Sequence, residues 1–286
     1  MMSGVDDPEA YRAESRERWE GAAAGWAATR EAFQRDTAPV SEWLLDATAL
    51  RPGMTVLEVA AGTGDLGLEA ARRVAPDGKA IITDGAEAMV EVARARAAEL
   101  GVENAEIRPM EAEWLDLPAG AVDAVVSRWA HMLLADPDAG LREARRVLRS
   151  GGRIALAVWD VPERNPWVTR VQRVLLERGH VERPRPGEPG PFALADRERL
   201  EDLLWGAGFA DVAIDAVAFE FHAPSLDAWW DHLTRNSPTL ASTLATLSPA
   251  EHYAVREDVD AAYAEFVAPD GTVTIPARTL VASAEA

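Results

Sequence analysis

The chain has 286 residues, with 29 Lys and Arg against 48 Asp and Glu and a formal net charge of -19. Nucleic acid is held mainly through phosphate contacts from Lys and Arg, so this balance argues against a nucleic-acid substrate and, for the same reason, against anionic membrane surfaces. No Cys is present, which excludes disulfides and thiolate metal sites.

The elements follow in chain order. Residues 8–34 read as a helix rich in Ala, Glu and Arg, with Trp19, Trp26 and Phe33 recurring at sevens on one face. Pro39 and Ser41 read as the opening of a second helix, 42–50, and Arg51-Pro52-Gly53 as a turn. Thr55–Ala60 is a short apolar strand, followed by a glycine loop and a helix from Asp65 to Val74. Lys79–Thr83 is a second strand ending at Asp84, and the helix 87–100 stops at Gly101. Strands at 105–109 and 122–127 come next; the apolar run of the latter suits a central parallel position. A helix at 138–148 ends at Ser150-Gly151-Gly152, before a fifth strand at 153–159.

Five strands alternating with helices predict a doubly wound α/β fold, mostly parallel, with helices on both faces. Beyond it, the proline-rich stretch 161–195 reads as an insertion with a helix at 167–178. A helix at 196–207, a strand at 210–222, a Trp-rich helical stretch at 225–266 and a last strand at 272–282 complete the chain. The expected organisation is one domain: an N-terminal helical segment (1–50) covering the site, a core (51–160), the insertion (161–195), and a second half of the sheet (196–286) carrying a helical cap at about 223–268.

The strand, Gly-rich loop and helix at Glu58–Asp65 form an adenosine-cofactor device: glycines let the backbone approach a ligand, and the helix start offers free N–H groups. Gly62-Thr63-Gly64-Asp65-Leu66-Gly67 also satisfies G-x-G-x-x-G, with Asp84 about 20 residues on, so an NAD-dependent oxidoreductase is a legitimate rival. Glu58 and Asp65 weigh against it. They would repel a pyrophosphate and suit the ammonium group of S-adenosylmethionine (SAM).

The run from Val56 to Trp159 resembles the class I SAM-dependent methyltransferases, and within them the ubiquinone/menaquinone-biosynthesis C-methyltransferase-like group. The motifs carrying the resemblance are Glu58–Gly64, Asp84 with Met89-Val90, Glu111-Ala112-Glu113 with Leu117-Pro118, Val122–Ser127, and Arg149–Gly152. Ala60 stands where such loops often have their first glycine. The resemblance implies a seven-stranded Rossmann-like sheet and SAM as cofactor, with S-adenosylhomocysteine as its product. It implies that Gly62, Thr63 and Gly64 pack on the amino-acid part and ribose. Glu58 would order the loop and the ammonium end, and Asp84 would accept from the ribose hydroxyls beside Gly85. Met89 would lie near adenine, Glu111 at its amino group, and the Ala112 N–H at N1. Glu113 belongs to the same stretch. The Ser127 carbonyl would meet the ammonium, with Arg128 and Trp129 beside it.

The segments outside the core carry Trp19, Trp26, Trp167, Trp229, Trp230, His222, His232 and Tyr263, and Trp159 ends the fifth strand. An aromatic-lined pocket suits a small hydrophobic or aromatic methyl acceptor. His131, just after the fourth strand, is the candidate base should the acceptor need to lose a proton. A catalytically inactive SAM-binding module is the other rival. No metal site is expected, since no His/Asp cluster has ligand spacing. The polar N-terminus shows no signal peptide, and no apolar run approaches the roughly 20 residues of a membrane span. The cytoplasm is the expected location.

Overall fold

The computed structural model describes residues 5–185 and 187–286. The first four residues of the 1–50 segment and Pro186 of the 161–195 insertion lie outside the described residues. In chain order the elements are α1 (Pro8–Ala47), β1 (Thr55–Glu58), α2 (Asp65–Val74), β2 (Lys79–Asp84), α3 (Glu87–Leu100), β3 (Ala105–Pro109), β4 (Val122–Arg128), α4 (Pro137–Val147) and β5 (Leu148–Trp159). Then come α5 (Pro166–Glu177), α6 (Arg197–Gly206), β6 (Ala210–Ala223), α7 (Leu226–Asn236), α8 (Pro238–Ala245), α9 (Pro249–Tyr263) and β7 (Val273–Glu285).

The seven strands form one sheet in the order β3-β2-β1-β4-β5-β7-β6. β1 to β5 pair in parallel. β7 runs antiparallel to both β5 and β6. The strand order reverses between β1 and β4, and in open α/β sheets ligands bind at that switch point, beyond the carboxyl ends of the strands. Because β6 points the same way as β1 to β5, its end at Ala223 delivers α7, α8 and α9 to that same edge. The central strands are apolar on both faces: Val56, Leu57, Val125, Val126, Ile154 and Leu156 are fully buried, as the middle of a two-sided sheet requires.

Two sequence expectations change. The helices expected at 8–34 and 42–50 are one continuous 40-residue helix with Pro39 inside it. Proline removes one backbone donor, but burial on both sides of it holds the helix straight through: Phe33 and Val40, Leu44 and Leu45 all enter the core. The Thr37 hydroxyl also donates to the Phe33 carbonyl at 2.7 Å. The second change concerns Gly151 and Gly152, expected as a turn before the fifth strand. They lie inside β5, where Leu148 pairs with Val122 and the register shifts between Val122 and Ala124. Gly151 has φ +71°, a backbone state that glycine adopts without strain.

Candidate cofactor site at the carboxyl edge

Three residues of the loop after β1 lie in the left-handed region: Ala60 (φ 50°), Gly62 (φ 55°) and Gly64 (φ 76°). The geometry explains why glycine is favoured at such positions, and Ala60 carries a strain of about 1–2 kcal/mol in its place. A Cβ on Gly64 would come within 2.8 Å of the Ala93 Cβ, so only glycine lets α2 start this close to α3. Gly67, the last glycine of the dinucleotide-like pattern, is needed for packing: its Cβ would lie 2.5 Å from Glu58 Oε2 and 2.7 Å from Ile82.

The carboxylates fix this loop. The Gly67 N–H donates to Glu58 Oε2 at 2.7 Å, and the Thr83 hydroxyl donates to the Glu58 carbonyl at 2.9 Å. Asp84, at the end of β2, joins two loops: Gly62 N–H donates to one oxygen at 2.8 Å and Ala86 N–H to the other at 2.9 Å. Thr63 is buried and its hydroxyl donates to Asp65 at 2.7 Å. Burial pushes the Glu58 carboxyl up to about 8, partly opposed by the Arg128 guanidinium. Burial likewise raises the Asp84 carboxyl above its ordinary value, against the two backbone N–H groups that favour the ion.

The loop after β3 comes next. The Glu111 carboxylate lies over Gly85, 2.9 Å from where a Cβ would stand. Met89 and Ala112 are buried. Glu113 is buried too, with one oxygen accepting from the Asp136 N–H and the other paired with Arg12, so both of its oxygens brace the loop.

At the end of β4, Ser127 is fully buried and its hydroxyl meets His131 Nδ1 at 3.1 Å. Arg128 Nη1 donates to the hydroxyls of Ser41 (2.6 Å) and Thr37 (3.3 Å) on α1. Burial lowers its pKa against the pull of Glu58 and Asp65. Trp129 has φ 57°. Its ring stacks on Trp159 with centroids 4.5 Å apart, and its indole N–H donates to Thr279 on β7. His131 is 1% exposed, its Nε2 has no partner, and burial pushes its pKa down to about 4.

The aromatic residues separate into two groups. Trp26, Phe33, Trp129, Trp159, Trp167, Phe221, Trp229 and His232 form a continuous array with successive centroids 4.5 to 6.4 Å apart. Trp19 extends it at 6.1 Å from Trp26, and Tyr263 joins at Trp229 while its hydroxyl donates to the Trp167 carbonyl. Trp230 stands apart, against His252 and Arg256. His222 is half exposed and is held by Asp36.

Sequence reading missed Phe221 of β6 in the aromatic array and a set of polar residues on α1. Arg12 and Arg16 reach Glu113 and Glu111, and Glu20 accepts from the N–H groups of Glu87 (2.6 Å) and Ala88 (2.8 Å) at the start of α3. The four-residue spacing of 12, 16 and 20 on the stripe that carries Trp19 and Trp26 was the available signal. No cluster of three His, Asp or Glu able to hold a metal occurs among the described residues, and no helix there is long and apolar enough to cross a membrane.

A glycine cradle and paired carboxylates at the switch point of a doubly wound sheet define an adenosine-cofactor protein. Residues 50–178 match the family model described as a methyltransferase domain. The chain is 35% identical over 131 residues to the ubiquinone/menaquinone biosynthesis C-methyltransferase of Hahella chejuensis, covering 46% of this chain and 52% of that protein. It is 32% identical over 199 residues to nocamycin O-methyltransferase of Saccharothrix syringae, covering 66% of this chain and 71% of the relative. The match thus spans about half the length of the first relative and more of the second. Geranyl diphosphate C-methyltransferase from Streptomyces coelicolor shares the fold, with a TM-score of 0.52 at 16% identity, covering 88% of this chain and 80% of that one. The chain belongs to the class I SAM-dependent methyltransferase family.

Proposed function

We propose that this chain binds SAM across the ends of β1, β2 and β4 and transfers its methyl group to a small apolar or aromatic acceptor. The observation that carries the cofactor reading is the donor set around the glycine loop. Gly62 has no atom within 4 Å of where a Cβ would stand, so the loop presents an open backbone cradle. Each Asp84 oxygen takes one backbone N–H, which leaves lone pairs for a ribose diol. Burial raises the Glu58 and Asp84 carboxyls, so with Asp65 they form a carboxyl cluster that an ammonium and a sulfonium would draw towards its ionised form and that a pyrophosphate would oppose.

When bound, SAM supplies an electrophilic methyl on a cationic sulfur. The protein's own part is to hold both reactants in line in a dry site, where proximity supplies most of the acceleration. The aromatic array of Trp129, Trp159, Trp167, Phe221 and Trp229 supports an apolar or aromatic acceptor. His131, with its pKa lowered to about 4 by burial, is neutral at pH 7 and a weak proton acceptor there. We therefore assign catalysis to positioning, with His131 holding Ser127.

Calorimetry with SAM and NADH, followed by a labelled-methyl assay over an acceptor panel, tests the reading. SAM binding with turnover on an apolar acceptor is expected. NADH binding without SAM binding would overturn it in favour of an oxidoreductase. SAM binding without turnover on any acceptor would favour a binding module.

A further inference from the structure

One stripe of α1 follows the site from end to end. It carries Arg12, Arg16 and Glu20 in steps of four, Trp26 two heptads on from Arg12, and Arg30 four residues after Trp26. The first three meet Glu113, Glu111 and the start of α3. Trp26 packs against the cluster of Ala22, Ala23, Ala86 and Met89, beside the Asp84 turn. Arg30, one turn further, arrives at the opposite end of the site, at Asp65.

There the polar balance is incomplete. Arg30 Nε is 3.9 Å from Asp65 Oδ1, and Arg30 Nη2 is 3.6 Å from Glu99 Oε2. Arg96 Nε is 3.7 Å from the same Asp65 oxygen. These are ion-pair distances, too long for hydrogen bonds. The Nε atoms of Arg30 and Arg96 are both buried without an acceptor among the described residues. A buried donor left unpaired costs about 1–3 kcal/mol, so two beside Asp65, where α2 leaves the glycine loop, point to a further anionic partner there.

The cofactor reading supplies an anion of the right kind. The carboxyl cluster suits the two cationic groups of SAM, but Asp65, the carboxylate beside Arg30, would repel its carboxylate. Of the other cations near Asp65, Arg96 donates through Nη1 to Glu99 and Arg128 donates through Nη1 to Ser41 and Thr37. We infer that Arg30 binds the carboxylate of the methionyl group, making α1 a cofactor-selecting element as well as a cover. This inference rests on the SAM reading above.

The test compares SAM with decarboxylated SAM, which keeps the adenosine, sulfonium and ammonium groups. By calorimetry the wild-type protein should prefer SAM by roughly tenfold to a hundredfold, the range of one charge-assisted hydrogen bond. Arg30→Met should bring the two ligands within about threefold by weakening SAM alone, and Arg30→Lys should keep part of the preference. Thermal unfolding checks that each variant folds, and Arg30→Lys carries the comparison if Arg30→Met does not. Equal affinity of the wild-type protein for both ligands would overturn the inference. So would Arg30→Met weakening both ligands by one factor, which would show that Arg30 only fastens α1. Failure of the wild-type protein to bind either ligand would instead overturn the SAM reading itself.

Discussion

Around the glycine loop, positions are set by backbone groups: Gly62, Gly67 and Ala86 donate to Asp84 and Glu58, and close contacts at Gly64 and Gly67 fix the spacing of α2 from α3 and β2. By contrast, α1 and the α7–α9 segment are held mainly by side chains, through ring packing and ion pairs far apart in sequence, with one close backbone approach of Gly25 to Arg235. A wall built from backbone contacts tolerates few residue types at each position, so it is written as a short motif. A wall built from side chains can reach the same shape in many ways, so its specificity is free to vary with the acceptor.

The strongest way to break this contrast is Gly64→Val. It forces a branched residue to φ 76° and places its Cβ 2.8 Å from the Ala93 Cβ. A loss of at least about 3 kcal/mol in denaturant unfolding is expected, with SAM binding abolished in calorimetry. If Gly64→Val binds SAM normally, the backbone wall is not what selects the cofactor.

The buried ionisable groups give the next effect. His131 and His232 are pushed down to about 4 by burial, so their contribution to stability is lost as pH falls from their ordinary value of 6.5 towards 4. Glu58 is pushed up to about 8 from 4.5, so its contribution is lost as pH rises through that interval. Of the three, only Glu58 still acts above pH 6.5. Thermal unfolding of the cofactor-free protein should therefore show a decline of about 2 kcal/mol between about pH 6.5 and 8. Glu58→Gln should flatten it, and an unchanged slope in that variant would remove Glu58 as the cause.

Asp84→Ala should weaken SAM by more than about tenfold, since it takes away the tie between two loops and the proposed diol acceptor. Wild-type affinity in that variant would refute the role. On the aromatic wall, Trp167→Ala should raise the acceptor KM severalfold and leave the SAM Kd within about twofold, with Trp167→Phe restoring most of the loss. A parallel loss of SAM affinity would show that the two walls are not independent.

The legible and illegible parts of the sequence divide along the same line. α2 and α3 and strands β2 and β3 stand essentially where periodicity, glycine stops and turn residues placed them, because local signals determine them. Pro39 misled because a local helix breaker was outweighed by Phe33, Val40 and Leu44 entering the core. Gly151 and Gly152 misled because a bulge inside a strand uses the same residues as a turn. The partners of Arg12, Arg16 and Arg30 could not be read at all. Glu113 and Glu111 lie 101 and 95 residues from Arg12 and Arg16, and no local pattern encodes such a pairing.

The insertion of β7 between β5 and β6 has a consequence for how the chain is made. β6 pairs in the sheet only with β7, and β5 keeps one open edge until β7 arrives. On a ribosome, β6 and the three helices after it emerge before Val273, so β6 and one edge of β5 wait with unpaired backbone groups for a strand not yet synthesised. Such an edge is a template for pairing with other chains. The alternation along β6, with exposed Asp211, Asp215 and Glu220 among its apolar residues, places carboxylates where a neighbouring nascent chain would otherwise add on.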